Sequence, residues 1–251
     1  MERVLRFSPI LLLMLVVGCS HENPASKLSG MPTGTGFILR ESHGAAGNHK
    51  YTVFLPRQYN AAQKWPAIVF LHGIGEAGSD GIACTTVGIG PRLAVLNGNF
   101  PFIVIFPQTG MDWTSQTSEN IMLDALKDAE THYSIDQDRV SLTGMSSGGK
   151  GTWVLGARHP EIFSALVPMG GFSATDEVPR LVKYPIWALH NSGDWVVGVG
   201  NTRDMIAKIK AAGGNPRYTE FDAGGHNCWD AAYEGGELFT WLAAQRRMPR
   251  M

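Results

Sequence analysis

The pentapeptide Gly144-Met145-Ser146-Ser147-Gly148 is the segment of this chain whose residue types and spacing point most directly to chemistry. It fits G-x-S-x-G and lies between a β-prone run, Arg139-Val-Ser-Leu-Thr143, and a helical one ending near His159. A sharp strand-to-helix turn lifts one hydroxyl above the end of a sheet, and glycine on either side removes Cβ atoms that would clash there. A serine so placed also sits at a helix N-terminus, where free amides and the positive dipole end favour developing negative charge. Such a hydroxyl suits attack on a carbonyl carbon.

Near neutral pH a hydroxyl needs a base, and the base needs a partner that holds its tautomer and stabilises its charged form. The glycine-rich stretch Ala223-Gly-Gly-His226-Asn-Cys-Trp229, close to the C-terminus and after the strand-like Arg217–Phe221, supplies His226. His72 and His190 close apolar runs, and His43, His49, His132 and His159 fall at expected solvent-facing positions, so all six read as structural. Asp194, in Leu189-His-Asn-Ser-Gly-Asp194-Trp-Val-Val197, lies just past a strand and is the candidate orienting acid; Asp222 and Asp230, which flank the histidine loop, read as solvated turn carboxylates. A tetrahedral oxyanion also needs preorganised amides. The amide of Ser147 is one expected donor, and the loop His72-Gly-Ile-Gly-Glu76 offers Ile74, with Gly73 as the alternative.

These residues require a sheet that carries them at its strand ends. Gly36–Arg40 and Lys50–Leu55 read as an antiparallel edge hairpin. Trp65–Leu71, Phe102–Phe106, Arg139–Thr143, Ala165–Met169 and Pro185–Leu189 are short apolar runs of the kind buried on both faces. Helical periods fit Glu119–Tyr133, Gly151–His159, Thr202–Ala212 and Gly236–Gln245. Alternation of the two predicts an α/β domain with a mostly parallel sheet, helices on both faces, and ligands bound at the carboxyl ends of the strands.

Composition agrees with one globular domain: 251 residues, 44% hydrophobic and 17% charged, with a net charge of −1 that offers no field for nucleic acid. Arg3 and Arg6 precede the apolar Ile10–Val17, too short to span a bilayer but suited to a secretory signal. Val16-Val-Gly-Cys19 resembles a bacterial lipobox, which makes Cys19 the expected lipidation site and residue 19 the end of the signal; a plain secreted protein is the alternative. By resemblance to such lipoproteins, Ser20 after the cysteine favours the outer membrane. Residues 20–34 read as a flexible tether and 35–251 as the catalytic domain.

The segments LHGIGEAGSDG (71–81), VGIGP (87–91), FPQ (106–108), TGMSSGGKGTW (143–153) and AGGHNCW (223–229) resemble secreted esterases of the α/β-hydrolase superfamily. The group spans phospholipase/carboxylesterases, feruloyl-esterase-like proteins and prolyl-oligopeptidase-like hydrolases. The resemblance covers nearly all of 35–241. It implies the α/β-hydrolase fold, a Ser146–Asp194–His226 triad in the chain order usual for it, and an oxyanion hole from the His72–Glu76 loop. Gly198 stands where similar proteins often have proline. With no large lid expected, Trp113, Trp195 and Trp229 are candidate pocket walls.

Once Cys19 is set aside, Cys84 and Cys228 form an even pair in an oxidising compartment, and a disulfide clipping the base loop is the expectation. No Cys and His spacing resembles a zinc site and no dinucleotide fingerprint occurs, so no cofactor or metal is expected. The expected partner is an ester substrate, small or borne on polysaccharide or lipid, with membrane contact only through the anchor. The reading is carboxylic-ester hydrolysis through an acyl-enzyme; a serine peptidase or amidase and a non-catalytic ligand-binding lipoprotein are the alternatives.

Overall fold

Short apolar runs alternating with helical periods fold into one eight-stranded sheet in the structure, a computed structural model describing Pro24 and residues 30–247 except Asn97 and Ala174. The strands are β1 (Gly36–Gly44), β2 (Gly47–Leu55), β3 (Trp65–Leu71), β4 (Ile103–Pro107), β5 (Ile135–Met145), β6 (Ala165–Met169), β7 (Trp187–Gly193) and β8 (Arg217–Gly224). Their order is β1-β2-β4-β3-β5-β6-β7-β8. β2 runs against both of its neighbours and every other pair outside that hairpin is parallel. This is the α/β-hydrolase architecture, with the expected hairpin at one edge.

β3, β4 and β6 are buried along their whole length because helices cover both faces. Side chains alternate across a strand, so a single apolar run feeds two cores. Ala67, Val69 and Leu71 of β3 join the core beneath helices α2 (Gln116–His132), α3 (Ser147–Arg158), α4 (Val178–Leu181) and α5 (Gly200–Ala211). Ile68 and Phe70 face the opposite core, closed by α1 (Ile89–Val95), α6 (Trp229–Glu234) and α7 (Gly236–Ala244). α2 begins three residues before its expected start because the Ser115 side chain caps it, accepting from the Ser118 amide. At seven and six residues, α1 and α6 are too short to show a helical period in sequence.

The signal segment, Cys19 and most of the 20–34 stretch lie outside the described residues. Contacts with the body begin ahead of Thr35, since Arg57 Nη1 donates to the Gly30 carbonyl at 2.6 Å. Among the described residues, no helix is long and apolar enough to cross a membrane.

Two expectations need correction. Cys84 and Cys228 are separate, fully buried thiols, not a disulfide. Each thiol points at the carbonyl of a different strand, Cys84 at Phe106 on β4 and Cys228 at Leu189 on β7. Four interstrand steps separate those strands, about 19 Å at the usual spacing, far beyond the reach of an S–S bond. Trp113 is a core residue rather than a pocket wall: it is 1% exposed and its indole N–H donates to the His72 carbonyl at 2.9 Å.

Burial pushes the Cys228 thiol up to about 12 and raises Cys84 as well, leaving little thiolate at either position. Alkylation of the native, unreduced protein should therefore leave both unlabelled, whereas denaturant alone should expose both. Peptide mapping that finds them alkylated only after reduction would contradict the separation of the two thiols.

Candidate active site

β5 ends at Met145 and α3 begins at Ser147, leaving Ser146 to make the turn at φ 55° and ψ −118°. It is the one non-glycine residue with positive φ among the described residues. A side chain held in that region costs about 1–3 kcal/mol and persists only where its surroundings enforce it. Here the Ser146 amide donates to the Met169 carbonyl at 2.9 Å, and its carbonyl accepts from the Lys150 amide at 3.0 Å. The flanking glycines permit the close approach. A Cβ on Gly144 would lie 2.4 Å from the Gly148 carbonyl oxygen, and one on Gly148 2.0 Å from that of Leu71. The turn is thus clamped between the ends of β3 and β6.

Asp194 follows β7 with its carboxylate fully shielded. Oδ1 accepts from the amides of Val196 and Val197 at 2.9 and 3.0 Å, and Oδ2 accepts from His226 Nδ1 at 2.6 Å. Burial raises the carboxyl pKa, but the hydrogen bonds from His226, Val197 and Val196 outweigh it and hold the group below its ordinary value of 3.8. An ionised acceptor at Nδ1 keeps the proton on that nitrogen and the lone pair on Nε2. Nε2 is buried with no hydrogen-bond partner among the described residues. The ring packs against Gly170, where a Cβ would sit 3.3 Å from Cε1, one residue past the carbonyl that holds the Ser146 amide. Trp229 meets the imidazole edge-on at 5.2 Å.

The loop after β3 approaches from the other side: a Cβ on Gly73 would lie 3.6 Å from that of Ser146. Ile74 opens a 3-10 turn and Ser147 opens α3, so neither amide has an intrahelical partner. Ile74 as a residue is 71% exposed.

His72, which read as structural in the sequence, and two residues given no role there, Gln108 and Asn191, hold these loops. His72 is buried, and its Nδ1 lies 2.6 Å from the Gly73 carbonyl while Nε2 accepts from the Thr109 amide at 3.2 Å. Burial lowers its pKa, outweighing the Gly73 contact that raises it, so the ring is a neutral clamp. Gln108, in the FPQ segment, donates to the Glu76 carbonyl at 2.9 Å and accepts from the Gly81 amide at 2.6 Å. Asn191 donates to the carbonyls of Gly225 and Asn227 on either side of His226, at 3.0 and 3.1 Å. The sequence signal for His72 and Asn191 was their place at strand exits, and Gln108 also belonged to the FPQ segment that carries the resemblance.

Trp195 is 82% exposed beside Asp194, and Ile74, Met111, Phe172 and Val196 are further exposed apolar side chains on loops after β3, β4, β6 and β7. A cavity of about 290 Å³ opens beside the histidine loop, lined by Val87, Gly88, Arg92, Asn227, Trp229 and Asp230 among others. Among the described residues, no group of three His, Cys, Asp or Glu is placed to hold a metal ion.

Because the Asp194 pKa is depressed by folding, its stabilisation is complete above the ordinary value and disappears as pH falls through the lower folded one. The stability difference between wild type and Asp194→Asn, from urea unfolding, should be constant near neutrality and shrink only below about pH 4. A difference that already fades toward neutral pH would mean that the carboxylate is not held ionised.

The Esterase family model ("Putative esterase") matches residues 42–212. An "Uncharacterized secreted protein" of Arthroderma benhamiae is 32% identical over 143 residues, 51% of this chain and 14% of that one. Among solved structures, a thermostable esterase is 30% identical with a TM-score of 0.73, covering 84% of this chain and 63% of its own. This chain therefore spans less than two thirds of either protein. Ferulic acid esterase from Anaeromyces mucronatus (16% identity, TM-score 0.60, 87% and 94% covered) and acylaminoacyl peptidase from Pyrococcus horikoshii (13%, 0.66, 87% and 43%) share the fold. The chain belongs to the Esterase family and has the α/β-hydrolase fold.

Proposed function

We propose that this protein hydrolyses carboxylic esters through an acyl-enzyme, with Ser146 as nucleophile, His226 as general base and then general acid, and Asp194 as its orienting partner. The observation that carries this reading is Ser146 at positive φ in the turn between β5 and α3. A packing residue would not be held in that conformation, whereas a nucleophile gains a hydroxyl raised above the sheet. His226 Nε2 takes the hydroxyl proton as Ser146 Oγ attacks the ester carbonyl, and Asp194 stabilises the resulting imidazolium. The amides of Ser147 and Ile74 receive the oxyanion, with Gly73 as the alternative donor in the second position. The proton on Nε2 then goes to the departing alcohol. Water, deprotonated by the same nitrogen, releases the acid from the serine.

The exposed apolar rim formed by Ile74, Met111, Phe172, Trp195 and Val196 suits an ester with apolar surface, and the cavity beside Trp229 suits one side of it. The similarity to esterases supports ester over amide substrates. Residues 1–19 would act as a lipoprotein signal, Cys19 as the lipid anchor and the following residues as a tether, placing the 35–251 domain in the cell envelope at the outer membrane. Likeness to a protein named as secreted supports export.

Chromogenic acetyl, butyryl, octanoyl and feruloyl esters, with a matched anilide, test the activity. Wild type should turn over esters, and Ser146→Ala should lose about three orders of magnitude or more in kcat while remaining folded. Faster anilide than ester turnover would favour the peptidase reading, and inactivity on every substrate would sink both. In the native host, labelled palmitate should enter the wild type and not Cys19→Ala; equal labelling would remove the anchor.

A further inference from the structure

His190 ends the apolar part of β7 four residues before Asp194, and it is fully buried. Its Nε2 lies 3.1 Å from Asp194 Oδ2 and 2.8 Å from the Val197 carbonyl oxygen. Both are acceptors, so Nε2 carries a proton and donates. Its Nδ1 lies 2.8 Å from the Thr202 hydroxyl of α5, which is itself 3.3 Å from the Gly171 carbonyl oxygen after β6. The oxygen that receives the His226 proton donor therefore receives a second imidazole as well.

We infer that His190 is a positioning residue for hydrolysis, locking the plane of the Asp194 carboxylate so that His226 is held toward Ser146; this rests on the proposed triad. Oδ1 is held by two backbone amides and Oδ2 by two imidazoles. Without His190, Oδ2 keeps only His226, and rotation of the carboxylate tilts that ring with it. The Val197 contact ties the same imidazole to the far end of the acid loop. Through Thr202 and Gly171, that loop is joined to the β6 exit, where Gly170 supports the His226 ring. The charged groups facing His190 are Asp194 on its own loop, His226 beyond β8, and Glu220, its β8 neighbour in the sheet, which is paired with Arg203 of α5. A shielded ring so connected does more than fill space, because a leucine of similar bulk would offer Asp194 nothing.

The test compares His190→Leu, His190→Gln and His190→Asn in the full chain, using ester kinetics across pH, with Ser146→Ala as the control for the triad itself. Leucine should lower kcat by roughly tenfold to a hundredfold, the loss typical when an outer hydrogen-bond partner of a functional side chain is removed, with KM little changed. Glutamine, whose amide nitrogen reaches the place of Nε2, should recover the larger part of kcat, and asparagine, which reaches only the place of Nδ1, should not. The far-downfield proton resonance of the His226–Asp194 pair should sharpen and weaken in the same order, whatever the turnover. A folded leucine variant within about twofold of wild type, or equal rates for glutamine and asparagine should leucine not fold, would overturn the positioning role while leaving the triad standing. Loss of the triad reading would instead show as wild-type activity that survives Ser146→Ala.

Discussion

The hydrogen bond from the Ser146 amide to the Met169 carbonyl joins the end of β5 to the end of β6 at the point where the chain turns into α3. It depends on two surfaces meeting with no side chain between them. Gly148 lies against the Leu71 and His72 carbonyls of the β3 exit, and Gly149 against the Met169 carbonyl. Any Cβ at these positions would push α3 away from the sheet and release the strained serine. The same contacts bring three strand exits, those of β3, β5 and β6, to within one helix diameter of the hydroxyl.

Around that junction the buried polar side chains of His72, Gln108, Asn191 and Asp194 each find a partner, and His226 Nε2 is left open. The two clusters on either side of the sheet are built from apolar side chains, and His72, Gln108, Thr109, His190, Asn191 and Asp194 are buried polar side chains at the carboxyl ends of strands. His72 binds the β3 exit to the β4 exit, Gln108 ties down the loop beyond it, and Asn191 holds the histidine loop across from β7. A buried polar group left without a partner costs more than its hydrogen bond contributes, so these contacts specify loop positions more sharply than apolar packing could. The Asp194 carboxylate is the centre of this arrangement: it joins four donors from three segments and remains ionised in spite of its burial.

The exposed surface above the junction has a different character. Its apolar side chains project from loops after four different strands and are free to differ without disturbing the clamp beneath them. On the proposed reading, chemistry and substrate choice fall to separate layers of the same strand ends, the hydrogen-bonded groups below and the exposed apolar side chains above.

By itself the sequence determined the succession of strands and of the longer helices, and hence the sheet, because burial on both faces requires runs such as Trp65–Leu71 and a long helix needs its apolar period. It also marked Gly144–Gly148, since only a tight strand-to-helix turn calls for that glycine spacing. Asp194 and His226 could be selected by their places after strands, but their pairing at 2.6 Å depends on β7 and β8 lying side by side, a long-range fact absent from local pattern. Only the tertiary structure decided the rest. It buried Trp113, which looked free to line a pocket, and it set the thiols of Cys84 and Cys228 against strands β4 and β7, too far apart to bond. It also turned His72 and His190 from ordinary strand-end histidines into clamps. The physical reason is the same in each case: a side chain's identity limits which contacts it can make, and the order of strands in the sheet decides which groups come within reach.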